Sequence, residues 1–132
     1  MGARWIKIAV VYFFIGVIFG LYMHFTVELQ YAATHAHINV VGWLTTGLIG
    51  IIYSVYPQAG NSLMGKIHFW LYNIGLPLLL AGMLVIQFVV AGAFPPLIME
   101  ILVIGGGFAL FFSIIIFFIN IFVNVKGSTT NE

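Results

Sequence analysis

Charged side chains are almost absent from this chain, and their scarcity limits its fold more than any motif does. Only four Lys and Arg and three Asp and Glu occur in 132 residues, so 5% of the chain is charged while 63% is hydrophobic. A water-soluble domain has about 25% charged residues, so this sequence cannot cover a folded core with a polar surface. The composition excludes a soluble enzyme, a nucleic-acid-binding protein and a disordered tail. It indicates an integral membrane protein, and the expected partner of such a chain is the lipid bilayer.

Four apolar stretches are each long enough to cross a bilayer, which requires about 20 residues. They cover residues 5–25, 36–56, 69–90 and 97–123. The connections between them are short and contain Gly, Pro and polar residues, which are typical of turns. We therefore predict an all-α membrane protein in which residues 1–125 form one domain of four transmembrane helices with antiparallel neighbours. Residues 126–132 are predicted to form a polar cytoplasmic tail.

The few basic residues predict the orientation of the spans. Arg4, Lys7, Lys66 and Lys126 all fall on one side of a four-span topology, and no Lys or Arg falls on the other. Because cytoplasmic loops carry the excess of Lys and Arg, both termini are expected to be cytoplasmic.

Polar residues within the third and fourth spans are interpreted as structural. Pro77 is expected to kink the third span and to free a backbone carbonyl. Asn73, Gln87 and Asn120 are each expected to form hydrogen bonds between helices. His68, at the cytoplasmic end of the third span, is interpreted as an interfacial anchor.

Two histidines at the outer end of the second span carry most of the functional information. Residues two apart on an α-helix are rotated by roughly 200°, so His35 and His37 are predicted to point to nearly opposite faces. They cannot bind one metal ion from a single chain, but they could serve two pockets or one pocket shared between subunits. Each alone could simply reach the headgroup layer. Polar Asn39 and small Gly42 on the following turns favour a cofactor site instead.

The sequence of residues 35–43, HAHINVVGW, resembles a helix of the haem–copper oxidase superfamily, and the similarity extends to Tyr53 and Pro57. It is most similar to the tenth helix of the catalytic subunit in cbb-type oxidases and nitric oxide reductases, where an HxH pair before Gly-Trp holds two haems. The resemblance implies that His35 and His37 are haem ligands. The cofactor-binding residues implied by this likeness are His35, His37, Asn39, Gly42 and Trp43.

The resemblance also suggests an assembly. The family subunit has twelve helices arranged as three similar four-helix arcs, so a homotrimer of this chain would supply the same number. His37 of one protomer and His35 of its neighbour would then hold one haem iron, and without cysteine the haem would be of the non-covalent b type. The family's copper site needs an adjacent pair of histidines, which this chain lacks, so full oxygen or nitric oxide reduction is not expected. The expected function is electron transfer or binding of NO or O2 in the inner (plasma) membrane of a bacterium, with an unidentified redox partner.

Two other functions remain open from the residues alone. His24 and Glu28 lie four residues apart near the outer face, and with His35 or His37 they could bind copper or zinc. The absence of an outer Arg or Lys to pair with haem propionates favours this alternative. The chain could also be a structural small subunit of a respiratory complex that binds no cofactor.

Overall fold

The computed structural model describes residues 1–90 and 95–126, with side chains at 1–86 and 95–126. Within these ranges every element is helical: α1 (Gly2–Thr26), α2 (32–55), α3 (Pro57–Asn61), α4 (Leu63–Val90) and α5 (Pro96–Asn124), with a short 3-10 turn at Leu29–Tyr31 before α2. Four of these helical stretches are long and apolar enough to cross a membrane, which confirms the predicted multi-span α-helical class. Residues 91–94, in the Gly/Pro connection expected between the third and fourth spans, and residues 127–132 of the expected tail lie outside the described residues.

Two helices begin at least four residues earlier than the apolar stretches predict. α2 starts at residue 32 rather than 36, and α4 starts at Leu63 rather than 69. The hydroxyl of Ser62 accepts a hydrogen bond from the backbone N–H of Gly65 (2.9 Å) and so caps the first turn of α4, as Ser does at many helix starts. Hydropathy identifies the part of a helix that contacts lipid. The backbone hydrogen bonds of α2 and α4 continue beyond that part, into the more polar residues that precede it.

Glycines bring α1 and α2 into close contact. A Cβ atom built on Gly20 would lie 2.9 Å from Cε1 of His35, and one built on Gly16 would lie 2.9 Å from Cγ of Asn39. Small residues allow this approach, which is how many membrane helices associate in the absence of a hydrophobic driving force. The α1–α2 contact therefore positions one face of the HxH helix directly.

α4 and α5 form a second close pair, and aromatic residues join it to the first. A Cβ atom on Gly75 would lie 2.7 Å from the backbone nitrogen of Leu110, so α4 and α5 pack nearly backbone to backbone. The ring centroid of His68 lies 4.8 Å from that of Trp5 on α1 and 4.9 Å from that of Phe117 on α5. Three helices thus meet at the end of the bundle where α1 begins.

Many large apolar side chains of α1 and α5 point away from the other helices. In α1 and α5 only 17% of the most apolar 18-residue window is buried inside the protein. Large side chains such as Phe25 (78% exposed) and Phe122 (75% exposed) project from the bundle. Lipid or another subunit must cover this surface, because exposure of so much apolar area to water is unfavourable in free energy.

Candidate functional site

His35 packs into the contact between α1 and α2. Its half-buried ring lies against Gly20 and has its centroid 6.3 Å from that of Phe19. The side-chain nitrogen of Asn39 lies 3.3 Å from its Nδ1 and also donates to the backbone carbonyl of His35 (2.9 Å). His35 and Asn39 share one face of α2, as their spacing predicts, and that face is covered by α1.

His37 lies on a different part of the α2 surface. Its Nδ1 is 2.8 Å from the backbone carbonyl oxygen of Ala33. Because a carbonyl oxygen can only accept, Nδ1 carries the proton in this hydrogen bond and Nε2 keeps its lone pair. His37 lines an open groove of about 170 Å³ together with Ala36, Val40 and Val41. The ring is therefore oriented by its own helix, with one nitrogen chemically able to bind a metal ion.

The helix changes its winding immediately after His37. Residues Ile38–Thr45 form a π-helix, in which the hydroxyl of Thr45 donates to the carbonyl of Val40 (2.8 Å). The carbonyl of Val41 accepts a hydrogen bond from Thr46 (3.0 Å) and another from the hydroxyl of Tyr72 on α4 (2.8 Å). π-Helical turns are rare and are frequent at functional sites. This segment was not predicted from the sequence, and the adjacent threonines alone do not distinguish a π-helix from an α-helix.

The other residues implied by the HxH resemblance also contact α1. Gly42 is buried, and a Cβ atom built on it would lie 2.7 Å from Cδ1 of Tyr12. The ring of Trp43 lies 4.9 Å from that of Phe13, measured between centroids. Gly42 and Trp43 thus pack against aromatic residues of the same chain.

His24 and Glu28 do not complete a metal site. The ring of His24 is exposed and has its centroid 5.3 Å from that of the neighbouring Phe25. Glu28 accepts a hydrogen bond from the side chain of Gln30. No group of three His, Asp or Glu residues that could hold a metal ion occurs in the part of the chain that the structure describes. The copper or zinc set expected from His24, Glu28 and His35 or His37 is therefore not assembled within one chain.

The interpretation of His68 as an interfacial anchor is wrong. Its side chain is completely buried, enclosed by Trp5, Tyr53, Tyr72 and Phe117. Aromatic residues distant in the sequence fold over it, which hydropathy around position 68 does not reveal. His68 begins a buried polar network at the end of the bundle opposite to His35 and His37.

Asn120 connects this network across the bundle. Its side-chain nitrogen donates to the Ala59 carbonyl and to the Tyr53 hydroxyl, each at 3.0 Å. The Tyr53 hydroxyl, which accepts from Asn120, also lies 2.8 Å from Nδ1 of His68 and is hydrogen-bonded to it. Nε2 of His68, like the indole nitrogen of Trp5, is buried without a hydrogen-bond partner among the described residues. The expectation of hydrogen bonds between helices is confirmed for Asn120.

Asn73 differs, because its side-chain nitrogen donates to the Phe69 carbonyl of its own helix at 2.8 Å. The expectation of a bond between helices is therefore wrong for the donor group of Asn73. The side chain of Gln87 lies outside the described residues.

Comparison with known proteins identifies no relative. No family model matches the chain, no curated protein matches it, and no solved structure matches it.

Proposed function

We propose that this chain is a membrane-embedded haem b protein, related to subunit I of the haem–copper oxidases, in which His37 is the iron ligand. The orientation of the His37 ring carries the proposal. Histidines that bind metal usually donate their other ring N–H to a carbonyl or carboxylate, which fixes the tautomer and makes the free nitrogen more basic. The Nδ1 contact of His37 to the Ala33 carbonyl has this form.

The residues around His37 are compatible with a flat apolar group. Ala36, Val40 and Val41 present short aliphatic side chains beside the imidazole. The groove of about 170 Å³ is open, and cofactor pockets usually enclose about 300–1,000 Å³. A second copy of the chain would have to supply the opposite wall. This requirement supports an oligomer, and we propose a homotrimer of four-helix units with antiparallel neighbours, which would provide the twelve helices of the family subunit.

The packing of His35 supports gas binding over electron transfer. Haem iron exchanges electrons when both axial positions are filled, and it binds diatomic ligands when one position is open. His35 is held between Gly20 and Asn39 within its own chain, so it is a poor second ligand for a haem on the His37 side. We propose that His37 binds alone and that NO or O2 is the ligand, with electron transfer as the function if a neighbour's His35 is also recruited.

We further propose that both termini face the cytoplasm of a bacterium and that the protein lies in its inner membrane. Tyr53 and His68 each contact both Trp5 and Phe117. The starts of α1 and α4, which carry most of the basic residues, therefore share one end of the bundle. The bias of Lys and Arg supports placing that end on the cytoplasmic side.

An absorption spectrum of the purified full-length protein tests the proposed function. We expect a Soret band that shifts on reduction with dithionite and shifts again on addition of carbon monoxide. A reduced spectrum that carbon monoxide does not change would support electron transfer. A colourless protein with stoichiometric copper or zinc, or with no cofactor, would contradict the haem assignment. Native mass spectrometry from detergent tests the trimer, and a monomer would leave the His37 groove without its second wall.

A further inference from the structure

A large apolar cleft of about 620 Å³ lies between α1, α2 and α4. The α1 wall of this cleft includes Ile8, Val11 and Ile15, and the α4 wall includes Asn73, Pro77 and Leu84. At 1.5 Å per residue, the lining extends about 10 Å along α1 and about 16 Å along α4. The cleft is therefore a groove that runs along the helix axes, as the acyl chains of a bilayer do.

The cleft is open toward the outside of the bundle. Two residues of its α1 wall remain largely exposed, Val11 at 57% and Ile15 at 45%. Because both belong to a helix that is long and apolar enough to cross a membrane, the surroundings on this side are hydrocarbon. An acyl chain can therefore enter the cleft from the bilayer without passing a polar group.

Basic residues continue both walls toward the starts of the helices. An α-helix turns by about 100° per residue. At this rotation each residue of the α1 wall lies within about 40° of Arg4 around the helix axis, and each residue of the α4 wall lies within about 20° of Lys66. Both basic side chains are exposed. Each wall of the groove thus has one exposed cation in line with it.

These two cations lie at the same end of the cleft. Trp5, the neighbour of Arg4, has its ring centroid 5.3 Å from that of Phe69, which follows Lys66 by three residues. Both cations precede the first lining residues of their helices. Long basic side chains can also place their charged ends at the membrane surface while their stems stay on apolar residues. Arg4 and Lys66 are therefore positioned at the mouth of the groove, where the lipid headgroups begin.

The protein supplies no anion to neutralise these cations in the part of the chain that the structure describes. Glu28 follows the end of α1, and Glu100 precedes Phe117 by about 25 Å along α5. Both carboxylates are therefore at the opposite end of the bundle from Arg4 and Lys66. A second copy in the same orientation would bring the same cations to this level, so charge favours a lipid as the occupant over a neighbouring protomer.

Two cations at the mouth of an apolar groove match the chemistry of an anionic phospholipid. Its phosphate lies at the membrane surface, its chains extend into the hydrocarbon, and basic residues near the surface attract its charge. We propose that this cleft binds an anionic phospholipid of the leaflet at this end of the bundle. One acyl chain occupies the groove, and the phosphate lies between Arg4 and Lys66.

Titration of the delipidated full-length protein in detergent, followed by native mass spectrometry, tests the proposal. Dioleoyl phosphatidylglycerol is compared with dioleoyl phosphatidylcholine, which has the same chains but a zwitterionic headgroup, and with glycerol 3-phosphate, which has a phosphate but no chains. We expect phosphatidylglycerol to bind at least tenfold more tightly than either. Affinity equal to that of phosphatidylcholine would overturn the proposal because the cations would contribute nothing. Affinity equal to that of glycerol 3-phosphate would overturn it because the groove would contribute nothing.

Two variants locate the phosphate. Arg4→Gln and Lys66→Gln each remove one charge at an exposed position. Each is expected to weaken phosphatidylglycerol binding about fivefold, which is the fold-change for about 1 kcal/mol per basic residue near an anionic membrane surface.

Lys126→Gln is the matched control. It removes the same charge beyond the end of α5, a helix that contributes no described residue to the lining of the cleft, and it should leave the affinity unchanged. Equal weakening in all three variants would overturn the assignment, because the attraction would then come only from the overall positive charge. Unchanged affinity in both test variants would overturn it as well. Haem content plays no part in these measurements.

Discussion

Asn120 is the residue whose replacement tests the buried polar network most directly. It is completely buried. It donates to Tyr53 and Ala59, and its Oδ1 accepts from Ser62 (2.9 Å) and Asn124 (2.8 Å). Hydrogen bonds in membrane proteins are worth about 0.6 kcal/mol each on average. Asn120→Leu keeps the number and branching of the side-chain heavy atoms and removes all four bonds, so we expect the free energy of unfolding to fall by about 2 kcal/mol.

Unfolding of the full-length chain by SDS in mixed micelles measures this loss. The matched control is Ser113→Ala on the same helix, because Ser113 is equally buried but its hydroxyl bonds only to the Leu110 carbonyl one turn away (2.7 Å). The control should lose less than about 1 kcal/mol. Equal losses in the two variants would refute the reasoning, since the bonds of Asn120 to other helices would then contribute no more than a local bond.

Three further changes have outcomes that follow from local geometry. Gly75→Ala should destabilise the protein by about 1–3 kcal/mol, because the added Cβ would meet the α5 backbone, whereas Gly105→Ala, with nothing within 4 Å, should cause no loss in the same unfolding titration. Val27→Gly should raise the free energy of unfolding by about 1 kcal/mol, because Val27 has φ 58° and a β-branched side chain is strained there. The chain has no cysteine, so single-cysteine variants report topology directly. In sealed right-side-out vesicles, Glu28→Cys should react with an impermeant maleimide and Lys126→Cys should not, and the reverse pattern would invert the proposed orientation.

The spans and the two faces of the HxH segment could be predicted from the sequence because both depend on local regularities. Hydropathy over about 20 residues marks a helix that lipid surrounds. The rotation per residue places His35 on a different face from His37, and the hydrogen bond between His35 and Asn39 agrees with that helical spacing. These features need no knowledge of which helices are neighbours.

The π-helix and the His68 network could not be predicted because both depend on contacts between distant segments. The Val41 carbonyl is bonded by Tyr72, which lies on another helix. His68 is buried by Trp5 and Phe117, and those residues precede and follow it by about 50 positions or more. Hydropathy near a span end describes the distance from the membrane surface, but it does not describe what packs against the side chain.

Haem retention in variants of His37 tests the central claim most directly. His37→Ala is compared with His24→Ala, an exposed histidine near the same end of the bundle, and haem is quantified per chain after purification. The account predicts that His37→Ala loses haem, that added imidazole restores it, and that His24→Ala keeps the wild-type amount. Equal haem content in the two variants would contradict the assignment of His37 as the iron ligand.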